Sequence, residues 1–191
     1  MTDAPLQKRY IAAQDLLEDS FQLAMNIYNS GYRPRLIIGI WRGGTPVGIA
    51  VQEYFEYRGA STDHIAIRTA SYTGINQQSE TIHVHGLDYI VAHTGPDDPL
   101  LLVDDVFDSG RSMEAVIKAL SDMRGRDFRE QVRIACPWYK PGNNRTDLVP
   151  DYHLHETGDW LVFPHELAGL TREEIAAGKP ALARILEKGE R

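Results

Sequence analysis

Asp104 and Asp105 are followed, at positions 108–112, by Asp-Ser-Gly-Arg-Ser. Neighbouring carboxylates can accept hydrogen bonds from a vicinal pair of hydroxyls. A short Ser/Gly turn opening onto a helix binds an anion, because unpaired backbone N–H groups and the helix dipole point at the ligand. Carboxylates beside an anion cradle suit a ligand with a phosphate and vicinal hydroxyls, such as a ribose 5-phosphate. The same residues also fit a plain βα turn bearing an Asp pair. The elements that must position these groups flank them. Leu100 to Val103 reads as a fully buried parallel strand. It delivers the Asp pair to its C-terminal end, where open α/β sheets bind ligands. Met113 to Met123 reads as the helix behind the turn.

A second segment repeats this logic. Leu36 to Ile40 is an apolar strand, Arg42-Gly43-Gly44 follows, and Val47 to Tyr57 reads as a helix. Adjacent glycines let a backbone approach an anion closely and open conformations closed to other residues, although a plain Gly-Gly turn would look the same. Neither segment is a P-loop or a Gly-x-Gly-x-x-Gly fingerprint.

Further elements alternate along the chain: a helix over Tyr10 to Asn29, a strand over His64 to Thr69, a strand over Val132 to Cys136 and a short strand near Tyr152 to His155. Between them, Thr69 to Pro99 is polar and free of Lys and Arg, with short strands expected at Thr81–Val84 and Tyr89–Val91. Thr171 with Glu174 forms a capping box, and Pro180 opens a last helix. Alternating strands and helices imply an α/β fold, with a central, mostly parallel sheet flanked by helices.

The chain has 191 residues, enough for one domain with a real core and too few for two of full size. Its net charge of −7 gives no general attraction to nucleic acid. Such a chain must bind a polyanion locally, through backbone amides, a few basic side chains and Mg²⁺. A single cysteine, Cys136, reads as a buried thiol outside any intrachain disulfide. No signal peptide and no stretch near membrane length is visible, so the expected location is cytoplasmic, with no membrane partner.

The segment 100–112 resembles the phosphoribosyl pyrophosphate (PRPP) motif of the type I phosphoribosyltransferases, with every motif position filled. The resemblance runs from Leu36 to Glu166 and is strongest to the short bacterial and archaeal hypoxanthine (6-oxopurine) enzymes. It implies a single domain over 1–191, with a core over about 32–138, a small C-terminal hood over about 139–170 and a helical tail over 171–191. In this reading Asp104 and Asp105 hold the ribose hydroxyls beside the metal, and Ser109, Gly110, Arg111 and Ser112 grip the 5′-phosphate. Arg42, Gly43 and Gly44 receive pyrophosphate, and the Trp41–Arg42 peptide can be cis. Asp108 serves as general base at purine N7. Ser71 and Tyr72 open a mobile loop that closes over the site, and the absence of lysine in that segment argues against orotate as the acceptor.

Trp138-Tyr-Lys140-Pro-Gly resembles the segment whose lysine meets the purine 6-oxo group. Asp159 to Glu166 resembles the hood, with Trp160 stacking on the base and Leu161 among the residues reading its edge. Glu166 stands where an acidic residue helps hold a second Mg²⁺, although relatives often carry Asp there. From the residues alone, Trp160 also fits a core aromatic and Lys140 a solvated surface lysine. The implied cofactor is Mg²⁺, the substrates are PRPP and a purine base, and a homodimer or homotetramer is expected. A PRPP-sensing regulator of the same fold is the rival reading. A DNA-binding form would need a further domain before the first core strand, and an RNA-binding form a basic face.

Overall fold

The computed structural model describes residues 8–72 and 81–189. In chain order the strands are β1 (Lys8–Tyr10), β2 (Leu36–Trp41), β3 (Asp63–Tyr72), β4 (Thr81–His85), β5 (Leu100–Val103), β6 (Val106–Phe107), β7 (Val132–Ala135), β8 (Trp138–Tyr139), β9 (His155–Glu156) and β10 (Trp160–Val162). The helices are α1 (Ala13–Asn29), α2 (Gly44–Tyr57), α3 (Leu87–His93), α4 (Arg111–Arg124), α5 (Arg172–Gly178) and α6 (Pro180–Gly189). Two compact units result: Leu16–Gly158, and the two chain ends up to Asp15 and from Asp159 onward. Residues 139–158 therefore stay with the larger unit, and the smaller one takes the rest of the expected hood and the whole tail.

The larger unit is built on a five-stranded sheet of order β4-β3-β2-β5-β7. All neighbours are parallel except β3 with β4. Chain connections leave β2 and β5 in opposite lateral directions, so the crevice beyond these two strands is the topological switch point. The apolar runs are explained by burial on both faces. Leu36, Ile38, Ile40, Leu100 and Leu102 join a core with Ile90 of α3 and Met113, Val116 and Leu120 of α4. On the opposite face α2 packs against β2 and β5, burying Val47, Val51 and Phe55. Tyr28 of α1 meets Tyr54 and Phe55 of α2 edge-on.

Two expected elements differ. Tyr89–Val91 is helical, inside α3, and not a strand. Leu87 and Ile90 are the buried pair at a spacing of three, Tyr89 stacks on His93 at a spacing of four, and Gly86 opens the turn with φ of 95°. Tyr10 is not helical either; it ends β1, which pairs in parallel with β10 in the smaller unit. In that unit Thr171 and Glu174 form the expected reciprocal cap of α5, and Pro180 begins α6. Lys179, between these helices, is buried and donates to the backbone oxygens of Phe163 and Pro164. Cys136 is buried and free, and burial pushes its thiol well above the usual range.

Candidate active site

The site forms where β2 and β5 end side by side. Asp104 and Asp105 follow β5, with Asp105 buried. The Asp105 N–H donates to Asp104 Oδ1 at 3.0 Å, and the Gly44 N–H also reaches the Asp104 carboxyl. Asp104 keeps some exposed surface, yet its carboxyl is enclosed. Burial, and next the neighbouring Asp105 charge, hold it well above the ordinary carboxylate range against those N–H donors.

The reason for two glycines after β2 is close packing. A Cβ at Gly43 would lie 2.1 Å from Asp105 Oδ2, and one at Gly44 would lie 2.1 Å from the Val103 carbonyl oxygen. Both have ordinary backbone angles, with Gly43 at φ −63°, so the expectation of conformations closed to other residues is corrected here. What glycine supplies is room for the loop to lie against the carboxylate pair. The Trp41–Arg42 peptide is cis, and both side chains are exposed.

At the second turn glycine is needed for both reasons. Gly110 has φ of 79°, and an added Cβ would meet Thr146 Oγ1 at 2.4 Å and Phe107 Cζ at 2.8 Å. It caps α4, whose first residues are Arg111 and Ser112. The helix interior thus begins one residue after the left-handed turn, with its N-terminal N–H groups beside 109–112.

A small parallel sheet of order β6-β8-β9 positions the next groups. Phe107 lies opposite Tyr139, so the following residues, Asp108 and Lys140, emerge as neighbours. Lys140 Nζ donates to Asp108 Oδ2 at 3.0 Å. Lys140 is 8% exposed, which removes the solvated-surface alternative, while the Asp108 side chain keeps 46% of its surface accessible. A second donor, Asn143 Nδ2, meets Asp108 Oδ1 at 2.8 Å. Nothing in the sequence singled out Asn143, because the contact spans 35 residues and depends on strand register.

In the smaller unit Trp160 opens β10 and is 51% exposed, with Lys8 Nζ 5.5 Å from its ring centroid, so it is not a core aromatic. Leu161 beside it is buried. Glu166 Oε2 accepts from the Phe163 N–H at 3.0 Å. Ser71 and Tyr72 differ from expectation: they end β3, in backbone register with Ile82 and Thr81, instead of opening the segment after it. The residues that follow, 73–80, lie outside the described residues. Among the described residues no group of three or more His, Cys, Asp or Glu side chains converges as a metal cage. No helix among them is long and apolar enough to cross a membrane.

The phosphoribosyl transferase domain model matches residues 7–168, which include both turns, the carboxylate pair and the Asp108–Lys140 pair. The chain belongs to the phosphoribosyl transferase domain family. It is a type I phosphoribosyltransferase. Among solved structures, a purine phosphoribosyltransferase from Pyrococcus horikoshii Ot3 is 29% identical, covering 86% of this chain and 97% of its own, with a TM-score of 0.64. A hypothetical protein from Neisseria gonorrhoeae with bound ppGpp is 21% identical over 98% of this chain and 99% of its own, at a TM-score of 0.68. The Helicobacter pylori xanthine-guanine-hypoxanthine phosphoribosyltransferase is 20% identical over 82% and 92%, at 0.63. The last two, at that identity, speak for the fold of this phosphoribosyltransferase alone. No curated protein matches the sequence.

Proposed function

We propose that this phosphoribosyltransferase transfers the 5-phosphoribosyl group of PRPP to a 6-oxopurine, giving a nucleoside 5′-monophosphate and pyrophosphate. The observation that carries this reading is the Asp108–Lys140 pair, an acceptor and a buried donor 3.0 Å apart beside the phosphate turn. One edge of a 6-oxopurine offers N7–H beside the C6 carbonyl, a donor next to an acceptor, and so complements the pair. Hypoxanthine fits, guanine and xanthine share the same edge, and adenine puts an amino group where Lys140 needs an acceptor.

In the proposed reaction purine N9 forms a bond to C1′ of the sugar as the C1′–O bond to pyrophosphate breaks, and Asp108 takes the N7 proton. Asp104 and Asp105 hold the ribose hydroxyls, and 109–112 hold the 5′-phosphate. Arg42, Gly43 and Gly44 receive the leaving pyrophosphate. Trp160 and Leu161 are the residues proposed to meet the base, with stacking worth about 1–3 kcal/mol per base at comparable aromatic platforms. Most of the acceleration comes from orientation and charge stabilisation, since an oxocarbenium-like centre needs no covalent partner from the protein.

The carboxylate pair fits Mg²⁺. This ion commonly binds through one or two carboxylates plus substrate phosphates and does not need an all-protein cage. Asp104 and Asp105, adjacent in the chain at the end of β5, supply such hard oxygens. Asp104 and Asp105 would hold the ion, and Glu166 a second one through water; when bound, the metal neutralises the phosphate oxygens. Purified protein given PRPP, hypoxanthine and Mg²⁺ should form nucleotide, lose that activity in excess chelator and regain it with Mg²⁺ or Mn²⁺. Full activity in chelator would overturn the metal assignment. PRPP binding without nucleotide formation from any base would turn the reading to a regulator of the same fold.

A further inference from the structure

Asp108 accepts two hydrogen bonds, and only one of them, from Lys140, has a part in the proposed reaction. We propose that Asn143 is a positioning residue that fixes the plane of the Asp108 carboxylate against the purine; the inference rests on the transfer reading above. Rotation about the last side-chain bond of an aspartate is broad, so a single donor on one oxygen leaves the carboxylate plane loosely set. A second donor on the other oxygen fixes it. Asn143 is itself held in place. Its N–H donates to the Lys140 carbonyl oxygen at 3.0 Å. Next in the chain, Asn144 Oδ1 accepts from the Thr146 N–H and hydroxyl, both at 3.0 Å, and Asn144 Nδ2 donates to the Leu148 carbonyl oxygen at 2.8 Å. The Arg145 N–H then ties this loop to the Ser109 carbonyl oxygen, inside the phosphate turn, at 3.0 Å.

The two donors differ in what happens when the base arrives. Lys140 must turn toward the C6 oxygen, and its hold on Asp108 weakens at that moment. Asn143 has no such competing partner in the proposed reaction, so it keeps the carboxylate aimed while the proton moves. An amide carries no charge, and removing it alters the orientation of Asp108 without altering the charge of the site.

The test is a double-mutant cycle with Asn143→Ala and Asp108→Ala, reading kcat, both KM values and Tm. Asn143→Ala should lower kcat about tenfold or more, the size expected for one hydrogen bond to a carboxylate, with the KM for PRPP and Tm unchanged. Asn143→Asp, which sets an acceptor against Asp108, should lower kcat further. In the Asp108→Ala background, removing Asn143 should change the residual rate by less than about twofold, because two residues acting as one unit are not additive. Equal losses in both backgrounds, no loss of kcat, or a fall in Tm that accounts for the loss would overturn the assignment of Asn143 alone. Absence of turnover in the unsubstituted protein would instead overturn the transfer reading on which it rests.

Discussion

Asp108 and Lys140 are interesting together because each satisfies the other until a ligand offers something better. A buried ammonium without an acceptor is costly, and here the acceptor is the very group assigned to take a proton. The two substitutions therefore fail in different ways. Asp108→Asn keeps the size of the side chain and should still fold and bind PRPP, but it loses the proposed proton acceptor. Its kcat should fall at least about a hundredfold, the usual range for a general base, and near-normal turnover would remove Asp108 from the mechanism. Lys140→Ala removes the proposed reader of the C6 oxygen and should leave the 109–112 turn intact. It should raise the KM for hypoxanthine about tenfold or more while leaving PRPP affinity nearly unchanged, as steady-state kinetics would report.

At the scale of elements, the turns were legible in the sequence and the register was not. Leu100 to Ser112 announces itself because strand, carboxylates, turn and helix are contiguous and each has a local signature. The pairing of β6 with β8 brings together residues about thirty positions apart, and two-residue strands carry no periodicity from which to read it. Hence the sequence presents Asp108 and Lys140 as separate candidates and does not single out Asn143. β1 escaped for the same reason: its partner, β10, lies about 150 residues away. Tyr89–Val91 reads as a strand although it lies inside α3, because a seven-residue helix gives too few turns for its spacing to stand out. Gly110 marks where element geometry is strictest, with positive φ and no space for a methyl group. Gly110→Ala should cost about 1–3 kcal/mol and lower Tm by about 2–4 °C per kcal/mol, measurable by thermal denaturation. It should also weaken PRPP binding, because Phe107 and Thr146 must shift at the phosphate turn; unchanged Tm and affinity would contradict this geometry.

For the molecule as a whole, the sign of the charge sets the problem. A protein of net charge −7 that binds a highly anionic sugar phosphate gains nothing from long-range attraction. In the proposed reading its affinity comes from two turns meeting at one switch point, where glycines let one loop rest against the carboxylates of the other. Specificity for the second substrate then falls to a few placed donors and acceptors, and this makes the choice of base the sharpest readout of the account. The decisive measurement is nucleotide formation from PRPP and Mg²⁺ with hypoxanthine, guanine, xanthine, adenine and orotate supplied in parallel. Hypoxanthine should be used well, guanine and xanthine should also react, and adenine should be at least about tenfold poorer in kcat/KM because it leaves the Lys140 donor unpaired. Adenine as the best substrate, or orotate reacting where the purines do not, would contradict the account.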